Sequence, residues 1–320
     1  MKVAITDYTF PSLEIEQAIL EPEGCTVVSG QCRTPEDLIA LTADADAVIT
    51  QFAPMNAEVV QALQRARIIV RYGIGYDNVA CDVARERAIP VCNIPEFCID
   101  EVADHTVGFI LSATRSLRAN SEHMVQGNWG LAVPLTQMRA LRDMTIGLVG
   151  FGRIGRAVAA RLTPFGCRML VFDPAVDEAP IAAAGCIKAS WDTLLESSDL
   201  VSLHCPSNEH TRGMLNTETL ARMQAGSIVV NVGRGDLVCL DALTAALQSG
   251  HLSAAALDVF NPEPLPSDSP LLSMPQVLVT SHIASASPRA AQTLRETAAR
   301  QALAALRGEP LSNVVNGVTA

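Results

Sequence analysis

The sequence predicts an α/β protein built on parallel sheets and divided into two domains. Three observations carry this. Short β-branched runs alternate with helical segments through nearly the whole chain. The runs are continuously apolar rather than strictly alternating, as in strands covered on both faces by helices. And 320 residues exceed what one ordinary core accommodates.

The elements follow in order. "VAITDY", "CTVVSG", "DAVIT", "RIIVRYG" and "IPVCNI" are strands of a first series within the first hundred residues. "TIGLVG", "RMLVFD", "LVSLHC", "SIVVNVG", "AAALDVF" and "VLVTSH" form a second. Between the series lies "DEVADHTVGFILSATRSLRA", residues 100–119. There Val102, Thr106, Phe109, Ile110, Ala113 and Leu117 share one helical face, and Asp100 suits the N-cap. The spacing predicts one long helix at a domain junction. "NWGLAVPLTQMRALRDM" has weak periodicity and reads as an arm or extended loop. "NPEPLPSDSP" is a loop between two strands. A last helix runs over 289–306. No internal repeat or low-complexity segment is present.

Composition narrows the function. Apolar residues are 49% and charged residues 18% of the chain, a well-packed rather than disordered composition. The net charge of −11 and pI near 5.0, with no basic cluster, argue against nucleic acid or an anionic membrane as partner. The N-terminus lacks the apolar core of a signal peptide, and no apolar run approaches a membrane span. A cytoplasmic address is the simplest. The nine cysteines form no C-x-x-C pair and lie in apolar runs, so buried reduced thiols are expected, with no disulfide and no metal.

"TIGLVGFGRIGRAVAARL" carries G-x-G-x-x-G at Gly150, Gly152 and Gly155, between a strand and a helix. The first glycine permits a tight turn, the second admits a pyrophosphate, and the third lets helix and strand pack closely. The free N–H groups and dipole of the helix start favour the phosphates. The next strand ends in Asp173, 18 residues after Gly155, where a carboxylate binds the ribose hydroxyls. A 2′-phosphate there would meet a like charge, with no cation nearby to offset it. NAD is expected, with NADH preferred over NADPH.

In an open parallel sheet, ligands bind beyond the carboxyl ends of the strands. The second series places Arg234, Asp258, Glu263, His204 and His282 at or just past such ends. "VNVGRGDLV", "LDVFNPEP" and "SHIAS", following "GFGRIGR", resemble the D-isomer-specific 2-hydroxyacid dehydrogenase family. The resemblance extends to "RYGIGYDNV", "IPVCNIPEF" and "EVADHTVGFIL" and covers essentially the whole chain. Its flavour is that of the phosphoglycerate dehydrogenase and C-terminal-binding-protein branch.

The resemblance implies two doubly wound parallel-sheet domains. Residues 1–99 and 288–320 would form a flavodoxin-like substrate domain, and 100–287 a Rossmann NAD-binding domain. It implies His282 as general acid and base, Glu263 as the carboxylate holding the imidazole, and Arg234 as the cation gripping the substrate carboxylate. Those roles suit 2-keto acid reduction, because a histidine titrates near working pH and a planar guanidinium matches a carboxylate. Substrate would also meet Tyr72, Gly73, Ile74 and Gly75, through backbone N–H groups. Besides the glycines and Asp173, cofactor contacts would come from Arg153, Ile154, His204, Cys205, Pro206, Thr211, Val232, Gly233, Arg234, Asp258 and His282. A homodimer is implied, through the helix after Asp100 and the arm around Trp129.

The other histidines read differently. His105 lies inside the long helix and is expected to be structural, while His123 and His251 read as surface residues. His210 matches a position near the cofactor loop only loosely. The chain departs from the family's pattern at Ser281, where proline commonly precedes the histidine, and at Ala80, where aspartate is common. An alternative of another class is an NAD(H)-sensing corepressor-like binding protein on the same fold. Formate dehydrogenases carry an amide in place of the histidine's carboxylate partner, and Glu263 argues against that activity.

Overall fold

A computed structural model describes residues 1–318. The chain divides into two compact units, Met1–Cys98 together with the segment from Ala286 onward, and Ile99–Ser285.

The first unit is built on five strands: β1 (Lys2–Ile5), β2 (Thr26–Ser29), β3 (Ala47–Thr50), β4 (Ile69–Arg71) and β5 (Val91–Cys92). They lie in the order β2-β1-β3-β4-β5 with every pairing parallel. This is the flavodoxin-like order. Successive side chains go to opposite faces, and both faces are covered. Val3, Ile5, Ile49 and Val70 pack with Leu294, Ala298 and Ala302 of the helix Pro288–Arg307. Ala4, Val48, Ile69 and Val91 pack with Leu38, Val59, Val60 and Leu63. Burial on both sides is why these strands read as unbroken apolar runs.

The second unit is built on β6 (Thr145–Val149), β7 (Arg168–Phe172), β8 (Ile187–Lys188), β9 (Leu200–Leu203), β10 (Ser227–Asn231), β11 (Leu252–Leu257) and β12 (Val277–Val279). The order β12-β11-β10-β9-β6-β7-β8 is the Rossmann order with one strand added at its edge. All pairings are parallel. The strand order reverses between β6 and β9, so their carboxyl ends flank the crevice where such folds bind ligands. The sequence gives no sign of β8. Its two residues are exposed, so no apolar run marks it.

Three sequence expectations are corrected. The helix after Asp100 does not continue to residue 119. It spans Ile99–Thr114, and a second helix, Leu117–Val125, follows Ser116 in the left-handed region at φ 47°. The Thr114 carbonyl accepts the N–H of Arg139, which belongs to the arm, instead of continuing the helical ladder. No glycine or proline marks this stop, and Leu117, placed on the buried face by its spacing, is exposed. Asp100 lies in the first turn, with Ile99 already helical. The expectation of buried cysteines fails at Cys239, which is exposed, and holds only in part at Cys81, Cys167 and Cys205; none of the nine forms a disulfide.

Among the described residues, no helix is long and apolar enough to cross a membrane. None of their His, Cys, Asp and Glu side chains cluster as a metal site would require.

Candidate active site

The glycine turn forms from backbone needs that only glycine meets. Gly150 has φ 93°, and a Cβ there would lie 2.8 Å from the Cys205 nitrogen and the His204 carbonyl carbon. A Cβ on Gly155 would strike the Gly150 carbonyl. Gly152, by contrast, faces open space and precedes the helix Arg153–Leu162 without a side-chain cap. The first-turn N–H groups, those of Ile154 and Gly155 among them, have no intrahelical acceptor. Asp173 sits at the end of β7, accepting the Phe151 N–H at 2.7 Å on Oδ2 and the Ala175 N–H at 2.8 Å on Oδ1. It therefore braces the glycine turn while standing where a ribose would lie.

His204, at the end of β9, is bonded through Nε2 to the Ser202 hydroxyl at 2.9 Å. Its Nδ1 is buried without a protein partner. Burial pushes its pKa down to about 4, so it is neutral near pH 7 and is no proton donor there. Cys205 is likewise inert, because burial pushes its thiol up to about 11. Pro206, Asn208 and Thr211 form one loop. The Thr211 hydroxyl donates to the Pro206 carbonyl at 2.7 Å and accepts the Asn208 N–H at 2.9 Å. A cradle that would not tolerate a Cβ, an open face at Gly152 and an orphaned imidazole nitrogen all fit a dinucleotide.

Val232 and Gly233 continue from β10 into the turn bearing Arg234. Asn231 shapes that turn, accepting the Gly233 N–H at 3.0 Å and donating to the Arg234 carbonyl at 2.8 Å. The Arg234 guanidinium donates to the Gly233 carbonyl at 3.0 Å. Gly235 has no room for a side chain, because the backbone of Phe260 lies against it. That packing sets the Arg234 turn beside the loop after β11.

Glu263 lies in that loop. Its Oε1 accepts the Phe260 N–H at 2.9 Å, and its Oε2 lies 2.8 Å from Nδ1 of His282. Burial pushes its pKa up, but the hydrogen bond and charge of His282, the Phe260 N–H and the Arg234 charge together outweigh this and hold it below the usual carboxylate value. Arg234, Glu263 and His282, far apart in sequence, thus meet at the carboxyl edge of one sheet.

His282 follows β12 with φ 56°. Its N–H donates to the Asp258 carbonyl at 2.7 Å. The Asp258 carboxylate is only 1% exposed and accepts the Ile283 N–H on Oδ1 and the Ala284 N–H on Oδ2, each at 2.9 Å, and the Thr280 hydroxyl on Oδ1. Asp258 therefore holds the histidine loop. Ser281, where proline is common, is exposed, while Asp258 bonds the loop on both sides of it.

In the first unit, the Tyr72 side chain turns into the core. Its hydroxyl donates to Glu16 at 2.8 Å, and Glu16 is also bonded by Arg295. The Tyr72 N–H donates to Thr50 and the Gly73 N–H to Arg71, each at 2.8 Å. Of the four loop residues, Ile74 and Gly75 are those whose N–H groups have no backbone or side-chain acceptor among the described residues. Sequence reasoning missed Thr280, whose hydroxyl lies 3.2 Å from Nε2 of His105.

Residues 107–284 match the family described as D-isomer specific 2-hydroxyacid dehydrogenase, NAD binding domain. The chain belongs to this family. This D-isomer specific 2-hydroxyacid dehydrogenase family member is 37% identical over 282 residues to a glyoxylate reductase of Korarchaeum cryptofilum, covering 87% of this chain and 85% of the relative. It is 37% identical over 290 residues to a D-3-phosphoglycerate dehydrogenase of Mycobacterium leprae, covering 90% of this chain but only 54% of that relative's length. Among solved structures, the TT0316 protein of Thermus thermophilus matches with TM-score 0.87 and 34% identity over 98% of this chain and 100% of its own. The Aquifex aeolicus D-lactate dehydrogenase complexed with NAD and lactic acid matches with TM-score 0.86 and 26% identity over 96% of each chain.

Proposed function

We propose that this protein is an NAD-dependent D-2-hydroxyacid dehydrogenase that works mainly as a 2-keto acid reductase. The observation that carries the reading is the 2.8 Å bond between His282 Nδ1 and Glu263, with the Arg234 charge acting on the same carboxylate. Bound NADH supplies the hydride for substrate C2. Because Nδ1 is held by Glu263, Nε2 of His282 is the nitrogen that gives the proton to the carbonyl oxygen and takes it back in the reverse direction. Arg234 binds the substrate carboxylate and polarises the carbonyl. The N–H groups of Ile74 and Gly75 assist in holding the carboxylate. Gly150, Gly152 and Gly155 with the following helix start hold the pyrophosphate, and Asp173 the ribose.

The Asp173 carboxylate disfavours a 2′-phosphate, which supports NADH over NADPH. Small non-phosphorylated acids suit the first unit best. Of the cations near its substrate loops, Arg33 lines a cavity with Phe52, and the Arg71 guanidinium lies 5.7 Å over the Phe52 ring and donates to the Tyr72 carbonyl. Exposed Val125, Trp129 and Leu135 on the second helix and the arm support a homodimer. Unbridged cysteines accord with a cytoplasmic address.

The test is oxidation of NADH and of NADPH with glyoxylate, hydroxypyruvate and pyruvate. Turnover with NADH on at least one acid is expected. Tight NADH binding with no turnover on any would defeat the reading in favour of an NAD(H)-binding regulator, and faster turnover with NADPH would defeat the cofactor preference.

A further inference from the structure

The loop that carries His282 is held by a chain of hydrogen bonds, and the chain's far end is a second histidine. A non-glycine residue at φ 56° sits in a region that L side chains rarely adopt, so surrounding bonds must hold it there. Asp258 supplies most of them, through the N–H groups of His282, Ile283 and Ala284. Thr280, two residues before His282, supplies another by donating its hydroxyl proton to Asp258 Oδ1.

A hydroxyl has one proton. Since Thr280 gives its proton to Asp258, His105 Nε2, 3.2 Å away, must be the donor in the His105–Thr280 contact. His105 Nε2 therefore carries a proton, and the contact pins the Thr280 rotor toward Asp258. The His105 ring is itself fixed edge-on against Phe109, with centroids 4.4 Å apart. Both aromatic residues belong to the helix Ile99–Thr114, so this helix is tied to the end of β12 through polar atoms as well as packing.

We propose that His105, acting through Thr280 and Asp258, is a positioning residue for His282. It touches neither substrate nor cofactor. Its part is to keep the Thr280–Asp258 bond formed, and thereby to keep the imidazole of His282 where proton transfer requires it. A small displacement of a proton donor lowers turnover strongly while leaving binding largely intact. The proposal rests on His282 being the general acid.

The experiment is a double-mutant cycle on the full chain with NADH and the best acid of the panel. It uses His105→Ala, Thr280→Val, the double variant and His105→Gln, with His282→Ala alongside. His105→Ala and Thr280→Val should each lower kcat about tenfold, with KM and NADH affinity within about twofold of the parent. The double variant should be no slower than Thr280→Val alone, because both act through one chain. His105→Gln should recover most of the rate, since its Nε2 can donate to the same hydroxyl.

Additive losses, a loss confined to KM or NADH affinity, or a full parental rate in His105→Ala would each overturn the proposal. If His105→Ala does not fold, failure of His105→Gln to hold kcat while Thr280→Val is fully active overturns it as well. Turnover surviving in His282→Ala would instead overturn the general-acid reading. An inactive His282→Ala beside a fully active His105→Ala would leave that reading standing and remove only the positioning role.

Discussion

The glycine turn after β6 and the histidine loop after β12 meet the same demand in opposite ways. Both place a residue in the left-handed region at a strand's carboxyl end, Gly150 at φ 93° and His282 at φ 56°. The first does so by omission: with no Cβ, the backbone adopts the turn without strain and leaves room for His204 and Cys205. The second must keep a side chain, because the proposed chemistry needs an imidazole there. Its backbone is therefore held from outside, by a buried carboxylate on the neighbouring strand's end. A binding turn can be written locally. A loop that must hold a side chain in the left-handed region needs tertiary support.

Four substitutions would break or sharpen this contrast. The largest effect is expected for His282→Ala, which should lower turnover by about 10²–10⁴-fold while NADH binding, followed by fluorescence titration, stays near parental. Unchanged turnover would remove the histidine loop from the chemistry altogether.

Gly150→Ala adds a Cβ to a crowded, left-handed position. It should weaken NADH binding at least about tenfold and lower stability by about 1–3 kcal/mol in a denaturant melt. A parental affinity for NADH would show that the turn is not the phosphate cradle.

Asp258→Asn keeps shape but aims an amide N–H₂ at donors that the carboxylate now accepts from. A stability loss of about 1–3 kcal/mol is expected, together with reduced kcat. Reduced kcat with no change in NADH affinity would mark Asp258 as a holder of the histidine loop rather than of the cofactor.

The smallest effect is that of Glu263→Gln on stability. The folded pKa of Glu263 is held below its ordinary value, so its contribution is present above that ordinary value. It is lost as the pH falls through the folded value. The difference between parent and variant in melts across a pH series should be constant near neutrality and vanish in acid. A difference that grows in acid would reverse the assigned direction.

The fold was legible where burial imprinted it on composition. Eight of the eleven apolar runs form strands paired on both sides, where coverage on both faces leaves no polar alternation to confuse the pattern. The other three, "CTVVSG", "IPVCNI" and "VLVTSH", form edge strands, and the first and last of them are only partly buried. Elements whose stability is borrowed were not legible. β8 exists because β7 offers an edge, and the helix stop at Ser116 exists where the arm's Arg139 takes the Thr114 carbonyl.

The candidate site divides in the same way. G-x-G-x-x-G and Asp173 announce themselves through spacing, since the turn's requirements lie within a few residues. Arg234, Glu263 and His282 stand out only together, through resemblance and through their places at strand ends. His105 and Thr280 gave no signal, because 175 residues separate partners that a single bond joins.

By itself, then, the sequence determined two parallel-sheet units, a dinucleotide turn and an inventory of reactive side chains, all properties of residue type and short-range periodicity. Only the tertiary structure decided which of those side chains share atoms. It took His204 out of proton transfer by burying it, turned Tyr72 away into the core, and made Asp258 the anchor of the histidine loop. The physical reason is that desolvation and hydrogen-bond partnership depend on what is near in space, and nearness in space is set by how the sheets close on their helices.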